Sequence, residues 1–248
     1  MSHARYLLLG CTLALAALGG RGACAQAPAG PRAAAPADVL AALRDSLDAG
    51  YWRTRLRPLT AVPLDRYRPA DHDLIGELLA LAPAAATPDL FRLAGALGLR
   101  GALRRAGEVL ALTPDLQEVR RLALVRAGDP RLGEHFVARV TSWPVDESFV
   151  REVLPLIAYA RRREAVDYLW AQLMVDNPGC RSPDPDATAP TECGYRLLEA
   201  LAPITEDFPV AADWDGGLAT ADYAAALRLA RDWYRAHADT YTLDANRL

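Results

Sequence analysis

Between Thr87 and Asp176 apolar residues recur at i, i+3, i+4 and i+7, so each segment carries one apolar stripe and one polar face, the pattern of an amphipathic helix. In 114–126 the stripe is Leu116, Val119, Leu122, Ala123 and Val125; in 130–142 it is Leu132, Phe136, Val137 and Val140; in 163–176 it is Val166, Leu169, Trp170 and Leu173. The punctuation between the stripes repeats too. Thr87-Pro88-Asp89-Leu90 and Thr113-Pro114-Asp115-Leu116 are the same four residues, and Asp129-Pro130 is a third start of the same kind. A threonine or aspartate there can accept a hydrogen bond from a free N–H of the first turn. Proline at the first helical position loses nothing, and an acid near it complements the positive helix end. Gly98 and Gly128 fall in the turns 30 positions apart, with Arg161 at the matching place 33 further on. The predicted helix pairs are 88–98 with 101–112, 114–126 with 130–142, and 146–160 with 163–176, the last carrying Pro155 midway along its first helix.

A single helical hairpin cannot bury both of its stripes, so repeated hairpins imply stacking. At Glu118-Val119-Arg120-Arg121-Leu122-Ala123, followed by Ala127-Gly128-Asp129-Pro130-Arg131, the chain resembles a unit of the HEAT-repeat family, one of the armadillo-like α-solenoids. The likeness covers 87–176 best, and Pro155 fits that family's kinked first helix. It implies an all-α fold, a right-handed α-solenoid of stacked antiparallel hairpins, over residues 38–248. In HEAT proteins the second helices line the concave side. An irregular helical bundle is the rival architecture. Because HEAT-like hairpins serve many roles, the resemblance speaks to architecture more than to activity.

The flanks extend the pattern less regularly. A helix over 38–49 carries Val39, Leu40, Leu43 and Leu47, with Gly50 as its stop, and 71–82 carries Leu74, Leu78, Leu79 and Leu81. Prolines 58, 63 and 69 argue against a long helix in 51–69, which is too apolar for a free loop and is expected to lie across the first hairpins as a cap. After Asp176 a proline-rich loop leads from Cys180 to Cys193. A C-terminal capping hairpin over 194–238 follows: helix 194–205, kinked at Pro203, then an irregular excursion, then helix 221–238 capped by Thr220.

The N-terminus changes the compartment. Arg5, an apolar run from Tyr6 to Ala17, and Ala23-Cys24-Ala25 read as a secretory signal over 1–25, cut before Gln26. The run is too short for a transmembrane anchor. Arg21-Gly22-Ala23 lacks the aliphatic residue of a lipobox, which argues against a lipid anchor at Cys24. Residues 26–37 form a Pro/Ala-rich linker. The mature chain, secreted or periplasmic, then holds two cysteines, and a Cys180–Cys193 disulfide is the natural reading in an oxidising compartment.

Charge and chemistry narrow the role further. The 28 basic residues are all arginine; losing Arg5 and Arg21 with the signal leaves 26 against 31 acids. That acidic balance excludes general nucleic-acid binding. Asp71-His72-Asp73 puts an imidazole between carboxylates but reads better as helix-start chemistry. Glu134-His135 and His237 are lone histidines on amphipathic helices. Asp213-Trp214-Asp215-Gly216-Gly217 lacks the spaced oxygens of a calcium loop, and Asp184-Pro185-Asp186 is weaker still. Arg161-Arg162-Arg163 reads as a solvated turn. Ser46, Ser142, Ser148 and Ser182 have no histidine placed by sequence, and no phosphate loop, nucleophile elbow or HExxH pair occurs.

The expectation is a non-catalytic scaffold that binds a protein or envelope component, without cofactor or metal. The alternatives are a hydrolase with a site assembled between hairpins and, more weakly, a HEAT-type nucleic-acid binder. The solvent side of the second helices supplies the candidate contact residues: Arg105, Glu108, His135, Arg139, Tyr168 and Gln172.

Overall fold

A computed structural model describes residues 35–46, 48–181, 191–213 and 217–248. Residues 1–34, with the signal, Cys24 and most of the linker, lie outside the described residues, as do Leu47, 182–190 (Ser182, Asp184 and Asp186) and Trp214–Gly216. The described chain is all-α, with twelve α-helices: α1 Pro36–Arg44, α2 Ala49–Thr60, α3 Pro69–Leu81, α4 Thr87–Ala96, α5 Arg100–Val109, α6 Pro114–Arg126, α7 Pro130–Thr141, α8 Glu147–Glu152, α9 Leu154–Ala160, α10 Arg163–Leu173, α11 Cys193–Leu201 and α12 Tyr223–His237. Along the chain, α4 packs on α6, α6 on α9 and α9 on α11. Their partners α7 and α10 pack on each other, and α10 packs on α11 and α12.

The turns of the central pairs form as their residues suggest. Gly98 and Gly128 adopt φ of +73° and +83°, and the N–H groups one residue later, of Leu99 and Asp129, close onto Ala94 and Leu124 carbonyls at 2.9 Å each. Such left-handed ends satisfy helix carbonyls that would otherwise be unpaired. Arg161 at the third turn is also left-handed, φ 48°, although it is not glycine.

The starts are less uniform than the sequence suggests. Thr113 and Asp129 accept from Leu116 N–H (3.4 Å) and Leu132 N–H (3.2 Å). Thr87 does not cap. It is the first helical residue of α4, and its hydroxyl donates back to the Pro83 carbonyl at 3.0 Å. The Ala82-Pro83 segment folds a turn ahead of Thr87 and supplies a nearer acceptor.

Other expectations are corrected. The first helix ends at Arg44, and Gly50 lies in the first turn of α2 instead of stopping α1. Residues 51–60, where the prolines argue against a long helix, are helical. Asp48 caps α2 through Tyr51 N–H at 2.7 Å, and the helix runs on through Pro58 to Thr60 although Pro58 has no N–H for the Thr54 carbonyl. Trp52, Leu56 and Leu59 of α2 are buried, and α2 packs on α1 and α4. In α3 Ile75 is buried while Leu81 is half exposed. The single helix expected over 146–160 breaks at Val153 into α8 and α9: Pro155 has no N–H for the Arg151 carbonyl, and its ring crowds that oxygen. Helix α11 ends at Leu201, so Pro203 lies beyond the helix and does not kink it. Asp222, not Thr220, caps α12, accepting from Ala225 N–H at 2.8 Å.

Two apolar clusters replace the single core that the length allows. One gathers α1–α5 with Ala123 and Leu124; the other begins at Val125 and runs to Tyr241; Leu132 packs against both. The boundary therefore falls inside α6.

The Arg161-Arg162-Arg163 run is not a solvated turn. Arg163 donates to the carbonyls of Tyr241 (2.8 Å) and Ala238 (2.6 Å), pairs with Asp167 and stacks over the Tyr241 ring at 3.6 Å. Arg161 donates to the Asp244 carbonyl, and Arg126 to that of Arg247 at 3.3 Å. The tail after α12 is thereby clamped across the α9–α10 turn and the end of α6. Burial, with Arg161 adding repulsion, brings the Arg126 guanidinium down to about 10.

Cys180 and Cys193 are joined, with a Cα–Cα distance of 5.0 Å, and Cys180 and Thr191 bridge beside the bond. In the chain-entropy model a loop of this size contributes about 3 kcal/mol. Cys193→Ser is therefore expected to lower the urea-derived unfolding free energy by about that amount. Equal stability of the oxidised parent and the variant would show that the loop constrains nothing.

Candidate functional site

Helices α6 and α7 form an antiparallel pair because Thr113 and Asp129 cap their starts and Gly128 reverses the chain between them. Each turns four residues at i, i+3, i+4 and i+7 into a shared trough: Glu118, Arg121, Leu122 and Val125 from α6, and Leu132, His135, Phe136 and Arg139 from α7. Three- and four-residue spacings share one helix face, so the lining follows from the helical period. The trough encloses about 470 Å³. Leu122, Val125, Leu132 and Phe136 make an apolar floor, and Glu118, Arg121 and Arg139 with His135 make a polar, mostly charged rim. Arg121 is ion-paired to Glu118 on its own helix. Arg139 also lines a neighbouring hollow of about 180 Å³ with Val140, Trp143, Glu152, Val153 and Leu156, so the two hollows meet at its side chain.

A second, more open hollow of about 1060 Å³ lies between α3 and the start of α5, lined among others by His72, Asp73, Glu77, Arg100, Arg104 and Arg105. The Asp71-His72-Asp73 run is divided by the helix. Asp71 is buried and accepts the Arg68 N–H at 2.7 Å, a helix-start role; His72 keeps its Nε2 buried without a hydrogen-bond partner; Asp73 is exposed. Two of the arginines are engaged with the α6–α7 turn, Arg100 donating to the Gly128 carbonyl at 3.2 Å and Arg104 to Asp129 at 2.6 Å.

That last pair gives a pH signature. The Arg104 hydrogen bond holds the Asp129 carboxyl below its ordinary value. A depressed carboxylate stabilises the fold fully above the unfolded value of about 3.9 and loses that contribution as pH falls through the folded value. Arg104→Gln should lower stability by about 1 kcal/mol at neutral pH, since Arg104 is largely exposed. The gap to the parent, followed by urea midpoints, should close below about pH 4. A gap that does not change with pH would remove Asp129 as its cause.

The six residues chosen from sequence do not converge on one place. His135 and Arg139 share the α6–α7 trough, and Arg105 lines the other hollow. Glu108 is exposed on α5 and lines neither. Tyr168 is half-buried: its hydroxyl donates to the Trp143 carbonyl at 2.7 Å, its ring meets Phe149 edge-on at 6.1 Å, and burial raises its pKa. Gln172 is half-buried on α10. Sequence reasoning missed Glu118 and Arg121, because it assigned the contact face to second helices alone, and Trp143, whose signal was an aromatic between a helix end and Pro144. No family model matches the chain, and no curated protein or solved structure is similar to it.

Proposed function

We propose that the chain is an exported, non-catalytic scaffold, a right-handed α-solenoid of HEAT-like hairpins that holds a protein or envelope component. The observation that carries the binding role is the α6–α7 trough, whose apolar floor and charged rim combine the chemistry of an interface centre and its edge. The solenoid is supported by the succession α4, α6, α9, α11 and by left-handed turns at Gly98, Gly128 and Arg161. The terminal elements differ from the middle, as capping units do. Export is supported by the disulfide, which persists in oxidising compartments. Among the described residues no helix is long and apolar enough to cross a membrane.

The hydrolase alternative has one observation in its favour, the partnerless His72 Nε2 in a hollow with Asp73 and Glu77. It ranks second because that lining offers no serine, threonine, cysteine or lysine as nucleophile, and Glu77 faces Arg44 at 3.9 Å. The test is affinity capture from envelope extract on immobilised mature chain, with Arg139→Ala and His72→Ala beside it. Retention of one species in stoichiometric amount, unchanged in mass and weakened at least tenfold by Arg139→Ala alone, is the expected result. A bound species that is cleaved, with cleavage lost in His72→Ala, would overturn the scaffold reading in favour of the enzyme.

A further inference from the structure

Beside the trough, the helix that packs on α6 is short. Residues 146–160 have the length to run as one helix along α6, but only the second half, α9, packs there. The first half is drawn elsewhere. Glu147 accepts the Arg181 N–H at 2.9 Å, Asn177 donates to the Val145 carbonyl at 2.6 Å, and α8 packs on α9 and α11. The base of the disulfide loop therefore holds α8 away, while Pro155 supplies the break. Beside it lie the two hollows, one lined by Leu122 and Phe136 and the other by Trp143 (39 % exposed), Val153 and Leu156, with Phe136 and Val153 buried as their floors.

Charge specifies the occupant further. Glu118 is neutralised by Arg121 and Glu152 by Arg151, each on its own helix. Arg139, at the junction of the two apolar hollows, has no ion pair among the described residues, and His135 adds a second basic group on the same rim. Phe136 and Trp143, one in each hollow, stand seven residues apart on α7 and its end, about 10 Å at the helical rise. A helix lying along α7 would match them with two apolar residues one heptad apart and place a carboxylate between, opposite Arg139.

We infer that the trough seats one amphipathic helix of a partner protein, with an acidic residue between two apolar anchors seven positions apart. This rests on the binding role proposed above and names the partner's chemistry. The probe is a phage-displayed library of randomised amphipathic helices of about 18 residues, selected on the full mature chain, with the enriched peptide labelled and titrated by fluorescence anisotropy. Enriched sequences should show the apolar–acid–apolar spacing. Leu122→Asp should abolish binding, and Arg139→Glu should weaken it at least tenfold, with binding restored by exchanging the peptide's acid for arginine. Circular dichroism melts report the folding of each variant. Peptides without the pattern, or peptides that bind both variants as they bind the parent, would overturn the inference while leaving a binding role at another face. Dodecanoate displacing every peptide would assign the trough to an acyl carboxylate instead. If peptides fail here but the captured envelope species is still lost with Arg139→Ala, the scaffold reading stands and the helical partner falls.

Discussion

Gly95→Val is expected to lower stability by about 4 kcal/mol and to leave little cooperatively folded protein in moderate urea. Gly95 lies on α4 where that helix crosses α6. A Cβ at this position would stand 2.7 Å from the Ala123 carbonyl oxygen and 2.9 Å from the Ala123 Cα, and would also strike the Tyr159 hydroxyl. The tyrosine could move, but the Ala123 backbone could not without separating two packed helices. Overpacking of this kind costs about 1–3 kcal/mol. The tyrosine adds to it. Its hydroxyl donates to the Arg92 carbonyl at 2.8 Å, tying α9 to α4, and burial raises its pKa. Displacing it breaks that partly exposed hydrogen bond, for about another 0.5–1.5 kcal/mol. The pair Gly95→Ala and Gly95→Ala with Tyr159→Phe separates the contributions. Removing the hydroxyl should recover part of the loss and leave the share due to Ala123. A Gly95→Val urea midpoint matching the parent would mean that α4 and α6 are free to part.

Gly95 also marks where sequence reading stops. Gly98 and Gly128 were readable because a glycine after an apolar stripe, followed by a polar start, is a local turn signal. Gly95 sits within a stripe and owes its identity to Ala123 and Tyr159, 28 and 64 positions away, which no local pattern encodes. The same divide runs through the caps. Thr87 and Thr113 have identical followers, yet only Thr113 caps, because the chain before Thr87 already turns and offers the Pro83 carbonyl. Pro58 misleads in sequence because α2 is held by burial of Trp52, Leu56 and Leu59, a tertiary effect that outweighs the proline. The role of the arginine run is not visible locally, because its partners are carbonyls of a tail 75 or more positions distant. As for the site, period alone placed His135 and Arg139 on a solvent-facing stripe. That they share a trough with Glu118 and Arg121 depends on the pairing of α7 with α6, which the period of one helix does not give.

The second large effect is expected at Trp170→Ala, a loss of about 3–5 kcal/mol. Trp170 is fully buried on α10 and stacks on Tyr234 of α12, with centroids 4.5 Å apart and planes 3° from parallel. Trp233, Phe208 and Tyr241 surround it at 5.6, 5.8 and 6.0 Å. One side chain thus joins α10, α12, the excursion between α11 and α12, and the C-terminal tail. The indole Nε1 is buried without a hydrogen-bond partner, so the contribution of the residue is area and stacking, reduced by an unpaired donor. Phenylalanine keeps part of the area and deletes that donor, so Trp170→Phe should cost only about 1–2 kcal/mol, well below the alanine variant. The tail supplies an independent readout. Tyr241 packs against Trp170, carries the Arg163 guanidinium on its face and donates its hydroxyl to Asp167 at 2.6 Å. Emptying the indole site removes the surface behind that ring. Amides whose bonds fix the tail, such as Asp244 N–H to the Ile204 carbonyl, should then exchange with solvent faster than those of α3 and α4, which belong to the other cluster. Uniform acceleration along the whole chain would instead mean that the two clusters unfold as one. Unchanged stability in Trp170→Ala would show that the aromatic cluster does not hold the C-terminal half together.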